Sequence, residues 1–122
     1  MSEKKKILYV QTSGVDTPER LYAPLILGTT AVAMGAEATV YFVVKGVTAL
    51  KKGEAEKIKI GSFPSLKEVI DQATAAGVKL VACGQSCQLL GLDSGDFMSE
   101  ASIVGAATLN DLALDANAVL CF

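Results

Sequence analysis

The chain has 122 residues, 51% of them hydrophobic, with a net charge of −2 and no histidine. That length fits a single domain spanning 1–122, and the slightly acidic balance excludes a nucleic-acid footprint. So much apolar surface on a small chain predicts that part of it faces another subunit, making a homo-oligomer.

Lys4, Lys5 and Lys6 precede the apolar run Ile7, Leu8, Tyr9, Val10, which has the look of a signal-peptide start. The run ends at Gln11, too short for a signal core. Residues 21–44 carry one acid, Glu37, and have the length of a membrane span. Gly28 and Gly35 interrupt it, and its character changes from helix-like LYAPLILGTTAVAMG to β-branched ATVYFVV. No membrane span is expected, and the chain reads as cytoplasmic. Its three cysteines, Cys83, Cys87 and Cys121, are then no disulfide framework.

In chain order, KKILYVQTSG reads as a buried strand closed by turn residues. Asp16, Thr17, Pro18 and Glu19 open a helix that runs to about Met34 and stops at Gly35; Pro24 kinks it or marks its effective start. Residues 37–44 form a second strand. The charged stretch VTALKKGEAEKIKIGSF is irregular, with room for a short helical turn. Lys51, Lys52, Lys57 and Lys59 alternate there with Glu54 and Glu56, as on a solvated face or a docking patch for an acidic partner. Ser65 caps a helix over LKEVIDQATAA, ended by Gly77. Residues 78–82 are a third strand that delivers the chain to Cys83. A helix-like CQLLG, a loop with solvated Asp93, Asp96 and Glu100, a short strand near Ile103, a helix over 108–114 and a last strand over 118–122 complete the pattern.

Strands that alternate with helices and read as continuous apolar runs imply an α/β fold, a parallel sheet covered on both faces. Five strands in this length predict a flavodoxin-like three-layer sandwich with a five-stranded, mostly parallel sheet. In the strand order 2-1-3-4-5, ligands bind between strands one and three. The loops there are 11–16 and 83–87.

Cys83 therefore stands at the end of a parallel strand and the start of a helix, where unpaired N–H groups favour thiolate over thiol. The lack of histidine excludes a Cys-His dyad and leaves a reactive thiolate open. Cys87 lies four residues on. On regular helix the two Cβ atoms would be about 5–6 Å apart, against the roughly 3.5–4.5 Å of a disulfide. A bridge between them would be strained and reducible. Both cysteines have the plainer reading of core filling, which fits Cys121 best. One thiol pair without histidine does not meet the four-ligand count of zinc, and no P-loop or GxGxxG occurs, so neither a metal nor a nucleotide cofactor is expected. Thr12, Ser13 and Gly14 offer N–H groups for an anionic sulfur ligand, or form an ordinary strand-to-helix turn.

ACGQSCQLLGL after a strand resembles the cysteine motif of the DsrE/DsrF-like sulfur-relay family. So do residues 7–14 with the Pro-Glu-Arg helix behind them, YFVVKGVTALKKG, and the closing VGAATLNDLALDANAVLCF. The resemblance covers nearly the whole chain. It implies a flavodoxin-like trimer or hexamer, and a cysteine persulfide at Cys83. Some relatives show C-G-x-C, one residue shorter than Cys83 to Cys87, and others have the first cysteine alone. The combined expectation is a sulfurtransferase-type carrier that needs no cofactor. Donors and acceptors would be proteins or small sulfane-sulfur compounds, with Gly84, Gln85 and Ser86 holding the anionic persulfide through their N–H groups. Its rivals are a thiol-disulfide redox protein using Cys83 and Cys87, and a non-catalytic binding module.

Overall fold

In a computed structural model, which describes residues 4–122, five apolar segments lie side by side in one all-parallel sheet. They are β1 (Lys6–Gln11), β2 (Glu37–Phe42), β3 (Lys79–Cys83), β4 (Ala101–Val104) and β5 (Ala118–Cys121). The first three residues of the expected 1–122 domain lie outside the described part. The α-helices are α1 (Tyr22–Ala33), α2 (Glu54–Lys57), α3 (Leu66–Ala76), α4 (Gly84–Leu89) and α5 (Ala106–Asp115), with short 3₁₀ segments at Pro18–Leu21, Val44–Leu50 and Ser94–Asp96.

Local chemistry accounts for these bounds. Pro18 opens the 3₁₀ turn, and α1 begins at Tyr22, so Pro24 falls in the first turn, where its missing N–H costs no helical hydrogen bond. Pro24 therefore marks the helix start. Ser65 Oγ accepts from the Glu68 N–H at 3.2 Å and so caps α3. The apolar run 21–44 divides into α1 and β2, and among the described residues no helix is long and apolar enough to cross a membrane.

The strand order is β4-β3-β2-β1-β5. This corrects the expected 2-1-3-4-5 order: β1 and β3 are not neighbours, because β2 lies between them. Strands β1 to β4 step in one direction, and β5 returns to the far side of β1, so the order reverses between β1 and β5. Right-handed crossovers then put α1 and α3 on one face and send α5 across the other. The core follows that division. Tyr9, Val40, Phe42, Leu80 and Ala82 join the larger cluster with Leu25, Leu66, Val69 and Ile70 of α1 and α3. Leu8, Val10, Tyr41 and Cys83 point the opposite way and meet Leu109, Leu112 and Ala113 of α5.

The segment leaving β2 is the second departure from expectation. Residues read as irregular form a buried 3₁₀ turn, with Val47, Ala49 and Leu50 in the core. Gly46 lies against the Gln11 carbonyl so tightly that a Cβ there would collide with it. That close approach wedges the segment between the end of β1 and the start of α4.

Candidate functional site

β3 ends at Cys83, whose extended backbone also serves as the N-terminal boundary of α4. The strand thus presents the thiol at the carboxyl edge of the sheet, on the α5 face. Cys83 is 4% exposed. Its Sγ lies 3.6 Å from Gln85 Oε1, a long S–H···O contact, and the exposed Gln85 side chain covers it from solvent.

Two hydroxyls flank the sulfur. Tyr41 of β2 pairs with Val81, two residues before Cys83 and on the same face, so its ring runs along the strand ends. Its hydroxyl donates to the Gly105 carbonyl at 2.9 Å. Gly105 directly follows Val104, the β4 partner of Cys83, which brings the phenol level with the thiol. Ser86, third residue of α4 and almost buried, accepts the Val44 N–H on Oγ at 2.7 Å.

These groups oppose burial. Desolvation pushes the Cys83 thiol up. The Ser86 hydroxyl, the Ser86 N–H, the Tyr41 hydroxyl and the Gln85 N–H outweigh it and leave the pKa below the ordinary thiol value. All four are neutral dipoles, with no lysine or arginine among them. The reciprocal effect pushes Tyr41 up to about 12, by burial first and then by its hydrogen bond to Cys83 and the charge there.

Cys87 has the same degree of burial and a different setting. It packs into the larger core, whereas Cys83 belongs to the smaller one. Burial raises its pKa, and the charge of Cys83 raises it further, only partly offset by its own N–H. Both thiols are free. Cys121 is free and exposed on β5, which corrects its expected place in a core.

The loop of Thr12, Ser13 and Gly14 has other partners. The Thr12 N–H and hydroxyl both donate to the Phe122 carbonyl, at 2.7 and 2.8 Å. Ser13 O accepts from Gln11 Nε2 at 3.2 Å, and Gly14 O accepts from the Thr17 N–H at 2.9 Å. β2 and residues 44–50 stand between this loop and Cys83, so the two expected halves of one site are separated. Asp93, Asp96 and Glu100 have structural partners: Asp96 Oδ2 accepts the Asp93 N–H at 2.8 Å, and Glu100 meets Lys67 at 3.1 Å.

Sequence reasoning missed Tyr41, Val44 and Gly105. For Tyr41 a signal existed: an inward tyrosine, unlike phenylalanine, needs a partner for its hydroxyl. For Val44 there was none.

The model of the DsrE/DsrF-like family matches residues 5–122. The chain belongs to that family. Among curated relatives, MJ0760 of Methanocaldococcus jannaschii, an uncharacterized protein, is 25% identical over 103 residues, which is 84% of this chain and 38% of that protein. The uncharacterized protein MK0008 of Methanopyrus kandleri is 30% identical over 94 residues, 77% of this chain and 72% of that one. The chain thus spans well under half of the first relative's length.

Solved structures show the same fold. The YchN protein of E. coli superposes with a TM-score of 0.73 at 17% identity, covering 98% of this chain and all (100%) of that one. MTH1491 of Methanobacterium thermoautotrophicum gives a TM-score of 0.71 at 14% identity, with 98% and 100% covered. As a DsrE/DsrF-like protein, the chain falls in a family whose membership suggests a role related to sulfur relay.

Proposed function

We propose that this DsrE/DsrF-like protein is an intracellular, cytoplasmic sulfur carrier of the sulfurtransferase type, with Cys83 as the carrying residue. One observation carries the reading: the Cys83 thiol is buried where β3 ends and α4 begins, among N–H and hydroxyl groups that hold its pKa below the ordinary value. That setting favours a thiolate and equally a persulfide anion, since both present a soft negative sulfur to hydrogen-bond donors.

The chemistry balances without a cofactor. The Cys83 thiolate attacks the outer sulfur of a donor R–S–SH. The new Cys83 S–S bond forms as the donor S–S bond breaks, and R–S⁻ leaves with the electron pair. Thiosulfate reacts alike and leaves sulfite. An acceptor thiolate then attacks the terminal sulfur of Cys83–S–SH, takes it as its own persulfide, and restores the Cys83 thiolate. The N–H groups of Gln85 and Ser86 and the Ser86 hydroxyl hold the charge at each stage, and the Tyr41 hydroxyl joins them where its one proton turns from the Gly105 carbonyl to the sulfur. Gly84 supplies the tight turn into α4 beside Val104 and Ile103. Cys87 is a packing residue, because its raised pKa and core position disfavour attack on a sulfur at Cys83.

The carrier works as a homo-oligomer, trimer or hexamer. Val119 and Leu120 of β5, at 43% and 44% exposure, and Leu114 of α5, at 86%, offer the apolar surface for it. Light scattering should return a multiple of the 12.7 kDa chain mass, and a monomer mass would remove the assembly.

Cyanide tests the carrier reading, since it strips a terminal persulfide sulfur as thiocyanate. After loading with polysulfide and desalting, in a Cys121→Ser background that removes the exposed thiol, the protein should release about one thiocyanate per chain, and Cys83→Ser none. Equal release from Cys83→Ser, or none from the wild type with any donor, would end the proposal.

A further inference from the structure

Val44 has a φ of +50°, and among the described residues it is the one non-glycine in the left-handed region. For a β-branched residue this is a genuine outlier, and Gly would adopt it without strain. Packing does not explain the valine, because its side chain is 42% exposed. The segment in this conformation sets the Val44 N–H on Ser86 Oγ at 2.7 Å, the short end of the N–H···O range.

A helical serine usually turns its hydroxyl onto the carbonyl three or four residues back. Ser86 makes no such bond; its oxygen is occupied as an acceptor by Val44. With one lone pair taken, the oxygen keeps a second lone pair and its one proton, and that hydroxyl favours the thiolate of Cys83, three residues earlier at the boundary of α4.

We propose that the strained turn at Val44 is a positioning device: its N–H locks the Ser86 hydroxyl so that the proton points at the Cys83 sulfur. Val44 and Ser86 thus set the charge state of a residue Val44 does not touch. Gly46, two residues on, pins the same segment against Gln11 and keeps the turn from relaxing. This inference rests on the reading of Cys83 as a working thiolate, and not on what the thiolate carries.

The other titratable groups around Cys83 are Tyr41 from β2 and Cys87 from α4. On the segment itself Lys45 is paired with Asp16 at 2.9 Å in solvent. From β4 and α5 the neighbours are the Gly105 carbonyl and the apolar Val104, Leu109 and Leu112. Tyr41 and Cys87 are both pushed up, so a titration near neutral pH reports Cys83.

The test is the pH profile of Cys83 alkylation, read by peptide mass, beside the Val44 amide signal in ¹H–¹⁵N spectra of the full chain. In the wild type, the Val44 amide should shift with the same midpoint as the alkylation profile. Ser86→Ala should raise that midpoint by about one pH unit, the scale of losing one strong donor to the charged form, and should abolish the amide shift. Ser86→Thr keeps the hydroxyl and should keep both. A Val44 amide blind to the Cys83 titration, or an unmoved midpoint in folded Ser86→Ala, overturns the device. Failure of sulfur loading with these shifts intact would sink the carrier reading and leave the device standing.

Discussion

Cys83 and Cys87 stand four residues apart and are equally buried, each 4% exposed, yet their surroundings move them in opposite directions. Around Cys83 the turn from β3 into α4 gathers two backbone N–H groups, and β2 contributes the Tyr41 hydroxyl. Around Cys87 the neighbours are apolar side chains of the larger core. Burial alone therefore does not make a thiol inert or reactive; the donors packed against it decide. The sheet itself separates the pair, because the start of α4 straddles the carboxyl edge and turns one cysteine toward each core.

The largest effect expected from that contrast is kinetic. Near neutral pH, alkylation followed by peptide mass should favour Cys83 over Cys87 clearly, because the lowered thiol holds more thiolate and the raised one less. Equal labelling would erase the distinction. Serine scanning gives a second, smaller measure. Cys87→Ser places a hydroxyl in an apolar core and should cost about 1–3 kcal/mol in denaturant unfolding. Cys83→Ser finds donors ready and should cost clearly less. The reverse ranking would mean that the two pockets have been misread.

Tyr41→Phe should act more mildly still. It removes one of the four groups favouring the thiolate, so the Cys83 midpoint should rise by less than in Ser86→Ala. The Gly105 carbonyl also loses its donor, worth about 1 kcal/mol of stability. An unchanged alkylation profile would confine Tyr41 to that structural bond.

The smallest effect is in the pH dependence of stability, and its sign differs between the thiols. Cys83 has a folded pKa below its unfolded value. Its contribution to stability is present above the unfolded value and is lost as pH falls through the folded one. Cys87 has a raised folded pKa, so its contribution is present below the unfolded value and lost as pH rises through the folded one. Unfolding free energies from pH 7 upward, compared with each serine variant, should show the two slopes opposed, each at most about 1.4 kcal/mol per pH unit.

Much of this architecture was legible in the sequence. The alternation of apolar runs with capped helices, Ser65 and Gly77 above all, fixed the α/β class and put Cys83 at a strand end. The strand order was not legible, because a parallel crossover leaves no mark of which strand it lands beside. A hint lay in Val40, Tyr41 and Phe42, apolar on both faces as only an interior strand is, while the expected order left β2 at an edge. Residues from Val47 on were read as irregular because their lysine-rich continuation masked the buried Val47, Ala49 and Leu50, and Val44 was read as the end of the second strand, which stops at Phe42. The wrong strand order joined Thr12, Ser13 and Gly14 to the thiol, and the strand assigned to Val44 hid the residue that reaches it through Ser86.

The carrier reading of Cys83 requires sulfur to go to one thiol and not the other. Intact-mass spectrometry after incubation with polysulfide or thiosulfate, beside Cys83→Ser and Cys87→Ala, measures this directly. The expected result is a gain of one sulfur atom that reductant reverses, retained in Cys87→Ala and absent in Cys83→Ser. A gain that survives Cys83→Ser, or a loss of two hydrogens with no added sulfur as the pair oxidises to a disulfide, would contradict it.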